Sequence, residues 1–538
     1  MSGKLENSTA NATVTANTTA ENDYDIAVVG LGPVGCTACL LLATAGLKVI
    51  AFERDPQVYR LPRAVNMDGE IIRGFQRIGL GDSVNALMQP VRPGDRVGFA
   101  NSQREWLFGQ EIRDFGGNGW QPMNFFDQPE LDGYLRDICT AHPDVTPKIG
   151  WDVSAVTDNG NDVTIIASPL DSDSASSFSA RYLLGCDGAS SYIRREIGSD
   201  WHNLGYDHDW LVVDVVAHPG NTLDHTTLQV CDPDRITTYV CTKDPYRRWE
   251  FKLNSGETWE EMLEPARIAE LIERWTPAGT YEVRRAAMYQ FHAATADNWR
   301  RGNLFIAGDA AHQTPPFLGQ GMNAGMRDVI NLAWKLPLVL QGLANERLLD
   351  TYQSERDAHA ADLVEWAVAI GRLMDHLAEV EAAERGGRPA PATPAQSASA
   401  GYGQGREQPP LRAGVFHLEQ VSDTGSTGYL FSQPIVIGDN GVELRLDELL
   451  GPGFSIVGRT AADLACSAAS EAVLQHLNVR KVALEGLQEV RGHFDRLFEQ
   501  HKVAIVRPDR YVFGHATTDI SLDDLIGELS EKLCLTLE

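Results

Sequence analysis

Residues 25–55 read DIAVVGLGPVGCTACLLLATAGLKVIAFERD, and this segment limits most narrowly what the chain can fold into. A short apolar run is followed by a G-x-G-x-x-G turn, an apolar helical stretch and a second short apolar run. This order predicts a βαβ unit whose helix N-terminus offers free backbone N–H groups to a pyrophosphate. The segment therefore predicts an α/β chain that binds a dinucleotide.

Three glycines and one acid make this motif specific. Gly30 allows the tight turn, Gly32 lets the backbone approach a pyrophosphate, and Gly35 lets the helix pack closely on the strand. Glu53 ends the second strand and is placed to accept hydrogen bonds from the ribose hydroxyls of an adenosine. The predicted cofactor contacts of this segment are Gly30, Gly32, Pro33, Gly35, Glu53 and Arg54.

The cysteines favour a reducing compartment. Cys36 and Cys39 stand in the helix as C-T-A-C, so a redox pair is one interpretation, but small buried side chains are the favoured one. The 8 cysteines of the chain are dispersed over 538 residues and predict free thiols and not a disulfide scaffold. We therefore expect a cytoplasmic protein.

Two further strand ends distinguish FAD from a nicotinamide dinucleotide. In YLLGCDGASSYIRREIG (182–198) an apolar strand leads to Asp187, and in LFIAGDAAHQTPPFLGQGMNAGMRD (304–328) another leads to Gly308 and Asp309. Three motifs, each at the end of a strand, are more than a nicotinamide dinucleotide requires. The larger cofactor FAD accounts for all three.

The three motifs resemble those of the class A FAD-dependent aromatic hydroxylases, and this resemblance implies that the flavin ring lies beside the stretch 304–328. Pro315 and Pro316 stiffen a loop, glycines bring bare backbone to the ring, and a helix over 322–335 points its positive N-terminus at the flavin pyrimidine end. The predicted contacts of these two strand ends with the cofactor are Asp187, Gly308, Asp309, Pro316, Gly319, Gly321, Met322 and Asn323, and Pro315 is predicted to take part in catalysis.

The resemblance to this class is not confined to the three motifs. Segments outside them are similar to the 3-(3-hydroxyphenyl)propionate hydroxylase group within that class. These segments are LPRAVNMDGEIIRGFQRIGL (61–80), NFFDQPELDGYLR (124–136), RRWEFKLNSGETWEEMLEP (247–265), DTYQSERDAHA (350–360) and VRPDRYVF (506–513).

The resemblance implies a reaction. A class A hydroxylase uses FAD, NADH or NADPH, and dioxygen, and it hydroxylates a small phenol ortho to its hydroxyl through a flavin C4a-hydroperoxide. An example is 3-(3-hydroxyphenyl)propionate, converted to its 2,3-dihydroxy product in aromatic-compound catabolism. The alternatives are a hydroxylase of another aromatic or polyketide phenol, a flavin dehydrogenase or halogenase, and a non-catalytic FAD-dependent interaction protein.

The resemblance also assigns roles to residues outside the glycine motifs. Arg63 matches an arginine at the FAD pyrophosphate, and Gln128 matches a residue on the adenosine side. Asp68 matches a carboxylate that acts as base toward the substrate hydroxyl; the alternative is an N-cap for the helix beginning near Gly69. Tyr289 matches a tyrosine of the substrate pocket, with core packing as the alternative.

One position departs from the related hydroxylases, which often carry a second acid where this chain has Gly69. This departure puts the shape of the substrate pocket in doubt. Arg235, Arg247 and Arg248 are candidate partners for a substrate carboxylate, with salt bridges as the commoner use.

The expected fold class is α/β, with a Rossmann-like FAD-binding domain, an interleaved antiparallel-sheet substrate domain and a C-terminal thioredoxin-like domain. We expect a disordered tail at 1–23, the FAD-binding domain at 24–200 and 285–380, the substrate sheet at 201–284 with parts of 70–125, a linker at 381–413 and the thioredoxin-like domain at 414–538. The C-terminal domain is expected to serve structure and dimerisation, because Cys466 and Cys534 have no C-x-x-C partner.

The charge balance limits the partners. Asp and Glu number 74 against 46 Lys and Arg, and the net charge of −28 repels phosphate backbones and anionic membrane surfaces. We therefore expect no nucleic acid and no membrane partner. The resemblance implies a small phenolic substrate and O2, we expect no metal, and a second copy of the chain is the expected protein partner.

Overall fold

The computed structural model describes residues 24–172, 174–391, 408–438 and 441–536. The expected tail at 1–23 and most of the Pro/Gly/Ala-rich segment of the expected linker lie outside these ranges. Within the described ranges, no helix combines the length and the apolar character that a membrane crossing requires.

A mainly parallel sheet is built around the predicted βαβ unit. The apolar runs of this unit form strands on either side of an almost wholly buried helix, α1 (Pro33–Thr44). The order of the sheet is β16 (Arg300–Arg301), β17 (Leu304–Ile306), β10 (Ser176–Gly185), β1 (Tyr24–Val29), β2 (Val49–Glu53) and β7 (Val145–Ile149). The hairpin of β8 (Trp151–Asp158) and β9 (Val163–Pro169) joins it at β10. Because β1, β10 and β17 run parallel, their carboxyl ends bring the three predicted cofactor motifs to one edge.

A second sheet lies beside the first. Its order is β18 (His312–Gln313), β15 (Tyr281–Ala296), β11 (Trp201–Ala217), β14 (Tyr246–Lys252), β13 (Thr237–Val240), β12 (Thr226–Val230), β4 (Arg96–Ala100) and β5 (Trp106–Glu111). The sheet was expected to be antiparallel, but β12 and β4 pair in parallel because they come from distant parts of the chain with no hairpin between them. A short ladder of β3 (Asn66–Asp68) and β6 (Met123–Phe125) lies apart from both sheets.

Strand β15 connects the second sheet to the predicted flavin loop. It pairs along its length with β11, and its last residues pair with β18, where Ala294 lies opposite Gln313 and Thr295 opposite His312. Residue 285, the expected start of a domain segment, therefore lies within a continuous strand.

The C-terminal part contains two small sheets. The first has the order β22 (Arg480–Ala483), β21 (Ser455–Gly458), β24 (Val503–Val506) and β25 (Val512–His515). In this sheet β21 and β22 pair in parallel, and the other neighbouring strands are antiparallel. The second has the order β20 (Glu443–Arg445), β19 (Ile435–Ile437) and β23 (Gln488–Arg491). The segment AADLACSAASEAVLQHL (461–477), whose apolar spacing predicts a single helix, is divided into a 3₁₀ turn at Ala461–Leu464 and a helix whose N-cap is Ser467. The Ser467 side chain accepts from the Ser470 N–H, which explains why the helix begins anew there.

The remaining helices cover the sheets and connect them. They are α2 (Gly69–Gln76), α3 (Gly81–Asn85), α4 (Gln128–Ala141), α5 (Tyr192–Ile197), α6 (Trp259–Met262), α7 (Pro265–Glu273), α8 (Gly321–Leu340), α9 (Thr351–Arg385), α10 (Leu446–Leu450), α11 (Ala468–His476), α12 (Leu497–Gln500) and α13 (Leu522–Lys532). Helix α1 buries Cys36 and Cys39 as predicted, and contact with Cys139 together with burial raises the pKa of the Cys36 thiol.

Buried ion pairs hold the C-terminal part against α9 and α8. Arg507 donates to Glu355 at 2.8 Å and to Asp509 at 2.6 Å, and Lys335 lies 3.0 Å from Glu355. Burial alone would raise the pKa of the Glu355 carboxyl, but Arg507 and Lys335 outweigh it and hold that pKa at about 2. The docking of the two parts thus depends on complete charge pairing.

We predict that Glu355→Gln destabilises the protein by about 3–5 kcal/mol at pH 7, because two buried cations lose their shared partner. The pKa of Glu355 in the folded protein, about 2, lies below its ordinary value of about 4.3. The stabilisation is therefore present above that ordinary value and is lost as the pH falls toward 2, so the difference between variant and wild type shrinks in acid. Denaturant unfolding at pH 7 and at pH 3 measures it.

Glu130→Gln serves as the control, since it removes the exposed ion pair to Lys243 and should change the free energy of unfolding by less than about 1 kcal/mol. A Glu355→Gln protein as stable as this control would contradict the proposed importance of the buried pairs.

Candidate active site

The glycine turn after β1 has the shape that a bound pyrophosphate requires. Gly30 has φ +95°, and a Cβ there would lie 2.5 Å from the Cys186 carbonyl oxygen. A Cβ on Gly35 would lie 1.8 Å from the carbonyl oxygen of Gly30, so helix and strand are packed backbone to backbone. A Cβ on Gly32 would meet nothing within 4 Å. The turn is therefore closed on the protein side and open at Gly32, where α1 begins without a side-chain cap.

Glu53 stabilises this turn from the end of β2. Its Oε2 accepts from the Leu31 N–H at 2.7 Å, its Oε1 accepts from the Asp55 N–H at 2.8 Å, and the Arg136 guanidinium lies 3.6 Å from Oε2. Arg54 is exposed beside it. The carboxylate thus lies at the predicted place and already holds the backbone that would meet an adenosine.

The Gly308–Asp309 turn is held by a buried acid from α8. Asp328 accepts from the Gly308 N–H at 3.0 Å, lies 2.7 Å from His312 Nε2, and accepts from Arg356 Nε at 3.0 Å. Burial would raise the pKa of Asp328, but His312 and Arg356 lower it on balance, so it is a carboxylate. The Asp328 side chain therefore connects the Gly308 turn, His312 and Arg356 of α9 at the end of β17.

Asp309 itself is exposed at the end of β17. Its side chain is solvent-accessible although protein atoms surround it, and burial raises its pKa while His312 and Arg63 act in the opposite sense. A polar group enclosed by protein but not covered by it is the environment expected for a cofactor contact. Together with the open space at Gly32, this position fits a dinucleotide laid along the strand ends.

The loop after Asp309 leads into α8 as predicted. Pro315 is buried, Pro316 begins a 3₁₀ turn that ends at Leu318, and Gly319 has φ +61°. Asn323 Nδ2 donates to the Gly319 carbonyl oxygen at 2.8 Å, so the first turn of α8 holds this loop. The N-terminus of α8, at Gly321 and the half-buried Met322, consequently points at the loop.

Asp68 is a paired carboxylate and not a helix cap. It occupies the N-cap position of α2, but its side chain makes no capping hydrogen bond. Arg327 Nη2 donates to Asp68 Oδ2 at 2.5 Å, and Gln320 Nε2 donates to Oδ2 at 2.9 Å. The backbone N–H of Asp68 donates to Asn323 Oδ1 at 3.0 Å. The helix-cap interpretation is therefore wrong, because residues of the flavin loop and α8 hold this carboxylate.

Arg63 and Gln128, predicted near the pyrophosphate and the adenosine, belong to one assembly. Gln128 Oε1 accepts from the N–H groups of Arg63 and Ala64, both at 2.7 Å. The Arg63 side chain is exposed, and its guanidinium lies 4.7 Å from the centre of the Tyr59 ring. Gln128 thus positions the Arg63 backbone and leaves the Arg63 charge available.

Tyr289 lies on the second sheet between Arg285 and an aromatic cluster. Its ring centre lies 6.1 Å from that of Phe291 and 4.9 Å from the Arg285 guanidinium, and its register partner is Trp210. Trp210 in turn lies 5.2 Å from Phe317 of the flavin loop, between ring centres. The half-buried Tyr289 therefore belongs to the ring cluster that meets the flavin loop.

Asp187 has mainly local contacts. Its Oδ2 accepts from the N–H groups of Tyr192 at 2.7 Å and Ile193 at 3.0 Å, at the N-terminus of α5. This carboxylate shapes the turn after β10. Its predicted contact with the cofactor stays a prediction.

The three arginines considered for a substrate carboxylate are all ion-paired within the chain. Arg235 pairs with Glu257, Arg247 pairs with Asp244 at 2.8 Å, and Arg248 pairs with Asp214 at 2.7 Å. All three arginines are buried, but Asp244 is exposed and Glu257 is half-buried, so only the Arg248–Asp214 pair is buried on both sides. Arg248 also donates to the Arg63 carbonyl oxygen at 2.5 Å. Its function here is to hold the Arg63 segment.

Gly69 has a physical reason to be glycine. A Cβ at this position would lie 2.6 Å from the carbonyl oxygen of Gln121. A second acid at this position would therefore displace the 120–122 backbone, and the pocket differs there from one that accommodates a side chain.

The residues that sequence reasoning missed are the partners of the predicted ones. These are Glu70, Gln320, Arg327, Asp328, Arg356 and Tyr511. Several lie in the segments that carry the family resemblance, which is the one signal that could have pointed to them. Among the described residues, no group of His, Cys, Asp and Glu side chains is arranged to hold a metal ion.

Comparison with known proteins agrees with this geometry. The model of the FAD binding domain family matches residues 23–367, and that of the HcaD C-terminal domain matches residues 428–532. The chain is 32% identical over 521 residues to a probable NADH-specific resorcinol 4-hydroxylase of Rhodococcus jostii (strain RHA1), covering 94% of both chains. It is 30% identical over 540 residues to a 3-(3-hydroxy-phenyl)propionate/3-hydroxycinnamic acid hydroxylase of Klebsiella pneumoniae (strain 342), covering 96% of both.

A solved structure shares the whole architecture. The chain is similar to aklavinone-11 hydroxylase, crystallised in a ternary complex with FAD and aklavinone, with a TM-score of 0.77 and 25% sequence identity. The match covers 95% of this chain and 99% of that one. The fold described above, including its C-terminal part, is therefore that of a flavin enzyme.

We predict that Gly32→Ala folds normally but binds FAD on the order of tenfold more weakly, a cost of about 1.4 kcal/mol, because the methyl group occupies the open space at the turn. Gly35→Ala is the contrasting variant, since its methyl group collides with the Gly30 backbone and should lower the unfolding temperature of the apoprotein. Flavin fluorescence titration and apoprotein melting separate the two effects. Undiminished FAD affinity in Gly32→Ala would place the pyrophosphate elsewhere.

Proposed function

The chain belongs to the FAD binding domain family of aromatic hydroxylases, and we propose that it hydroxylates a small phenol ortho to its hydroxyl with NADH and O2. FAD, when bound, would take electrons from the nicotinamide nucleotide and activate O2, from which the transferred oxygen atom comes. The protein's own residues bind, orient and deprotonate the phenol and exclude water from the site. Aromatic-compound catabolism is the expected setting.

One contact carries this proposal. Gln320, between the two glycines of the flavin loop, donates to both oxygens of Asp68 at 3.2 and 2.9 Å. The candidate base is therefore attached to the loop at which the flavin ring is expected. A hydroxyl bonded to Asp68 would place the adjacent ring carbon near that loop, which supports attack at the ortho position.

Asp68 would accept the phenolic proton. A phenolate ring is far more nucleophilic than a neutral phenol toward an electrophilic oxygen, so a positioned carboxylate accelerates the transfer. Arg327 pairs with Asp68 and fixes its position, and Tyr289 with Phe291 would form the aromatic wall opposite. Pro315 would hold the loop that separates the ring from solvent.

The ion pairs of the three candidate arginines are relevant to which substituent the phenol carries. Since Arg235, Arg247 and Arg248 each have a carboxylate partner, none of them is open to a substrate acid. A substrate acid would therefore need another cation. Arg285 is a candidate, because its guanidinium lies 4.9 Å from the Tyr289 ring and its Nε and Nη2 have no hydrogen-bond partner among the described residues. The names of the relatives include both kinds of substrate.

Several finer features belong to the same proposal. We keep the domain limits stated above, except at 285 and 381, which lie within β15 and α9. We also keep a thioredoxin-like C-terminal domain without redox activity, a homodimer and a cytoplasmic location. The strand order of the sheet containing β21 supports the thioredoxin-like assignment, because a parallel pair is followed by an antiparallel hairpin. Sedimentation of the holoenzyme tests the dimer.

The function is tested by NADH oxidation and product analysis. The FAD-loaded protein is given resorcinol and 3-(3-hydroxyphenyl)propionate separately, NADH and NADPH are compared, and the products are identified by mass spectrometry and NMR. A phenol-dependent increase in NADH consumption with an ortho-hydroxylated product is expected. Turnover that continues without O2, or that requires a halide, would indicate a dehydrogenase or a halogenase instead.

We predict that Asp68→Asn retains FAD but hydroxylates at least about 100-fold more slowly, because the amide keeps the shape and loses the base. Asp375→Asn is the control, since it removes an ion pair to Lys252 and should leave turnover unchanged. The measurement is kcat with product quantification across the pH range. Wild-type turnover by Asp68→Asn at every pH would exclude the base.

A further inference from the structure

The C-terminal part of the chain reaches the candidate base through a continuous set of hydrogen bonds. The hydroxyl of Tyr511 donates to Glu70 Oε1 at 3.0 Å. The other oxygen of Glu70 accepts from Arg327 Nε at 2.6 Å, and Arg327 Nη2 donates to Asp68 at 2.5 Å. Two carboxylates thus share one guanidinium, and the tyrosine supplies a further donor to one of them.

All four groups are buried. Their exposed fractions are 6% for Asp68, 7% for Glu70, 3% for Arg327 and 5% for Tyr511. Burial, with Glu70 second, raises the pKa of the Tyr511 hydroxyl, so it is a donor at working pH. Electrostatic coupling between such groups is weakly screened by water or salt.

The other charged and titratable groups around this set are few among the described residues. Arg356 and Asp509 act on Tyr511, and Gln320 and Gln408 donate to Asp68. His359 lies beside Arg356, and burial together with Arg356 holds its pKa well below the usual range, so it is neutral.

Helix α2, which begins directly after the candidate base Asp68, has a second contact with the C-terminal part of the chain. Arg73 of α2 forms a bidentate pair with Asp447, at 2.8 and 2.6 Å, and Arg510 also donates to Asp447 at 2.9 Å. The C-terminal part thus holds α2 at Arg73 and, one helical turn earlier, at Glu70.

We propose that Glu70 and Tyr511 are positioning residues that set how strongly Arg327 holds Asp68, so that the C-terminal part is a component of the active site. The inference rests on the proposed function, in which Asp68 is the base. Neither residue touches the substrate in this scheme. Each acts on proton transfer through Arg327.

The two residues should act in opposite directions. Removing the Tyr511 hydroxyl withdraws a hydrogen-bond donor from the carboxylate pair, which raises the proton affinity of both acids. Replacing Glu70 by glutamine removes a negative charge, leaves Arg327 to Asp68 alone and lowers the proton affinity of Asp68. A role confined to folding would not produce shifts of opposite sign.

The test compares Tyr511→Phe and Glu70→Gln in the full-length, FAD-loaded enzyme. The pH dependence of kcat/KM for the accepted phenol is measured, together with the pH dependence of the Kd of that phenol from flavin absorbance. We expect the acidic limb to move up by about half a pH unit in Tyr511→Phe and down by about one unit in Glu70→Gln. The Kd profile should shift in the same way without turnover.

Gln433→Ala is the matched control, because Gln433 bridges the same two parts of the chain through the Asn118 carbonyl oxygen at 2.6 Å, away from Asp68. It should change the unfolding temperature and not the pH profile. Shifts of equal sign in the two test variants, or an unmoved acidic limb in Tyr511→Phe, overturn the proposal. Failure of the proposed function would instead appear in the wild type, as an absence of phenol-dependent NADH oxidation.

Discussion

Buried charge pairing at the turn of residues 507–511 is the interaction on which the rest of the structure depends. Arg507 lies between Glu355 of α9 and Asp509 of its own turn, and Arg510 reaches Asp447 together with Arg73. A buried charge that loses its partner costs several kcal/mol, so these pairs form together or not at all. The position of α2, and with it of Asp68, is thereby tied to the C-terminal part.

The same physical arrangement recurs at two of the loops that would meet the cofactor. Asp328 holds the Gly308 turn, and Arg248 with Asp214 holds the Arg63 segment. In both places a buried, ion-paired side chain fixes backbone groups, and the side chain predicted to touch the ligand stays available.

The sequence predicts the cofactor framework well and its supports poorly. Gly30, Gly35 and the β1, α1 and β2 elements can be derived from local patterns, since apolar runs and glycine turns are short-range signals. Arg327 and Tyr511 could not be derived, because charged and hydroxyl side chains in a single sequence are expected at the surface. Their burial depends on partners hundreds of residues away, as the contact between Tyr511 and Glu70 illustrates.

The division of the expected helix at AADLACSAASEAVLQHL has a similar origin. Its apolar spacing suits one helix, but Ser467 accepts a hydrogen bond from the backbone and begins a new one. The parallel pairing of β12 with β4 also cannot be predicted from local patterns, because which strands become neighbours depends on contacts throughout the sheet. The resemblance to known hydroxylases compensates for this, since the segments that carry it, 350–360 and 506–513, contain the buried pairs.

Strand β15 has a consequence for protein engineering. Its 16 residues carry Arg285 and Tyr289 in one half and pair with the strand of the flavin loop in the other. Side chains alternate between the two faces of a sheet, so inserting or deleting one residue between Tyr289 and Ala294 would turn the two halves to opposite faces. Loop lengths elsewhere can vary between homologous enzymes, but chimeras joined within this strand must preserve its residue count or change it by two.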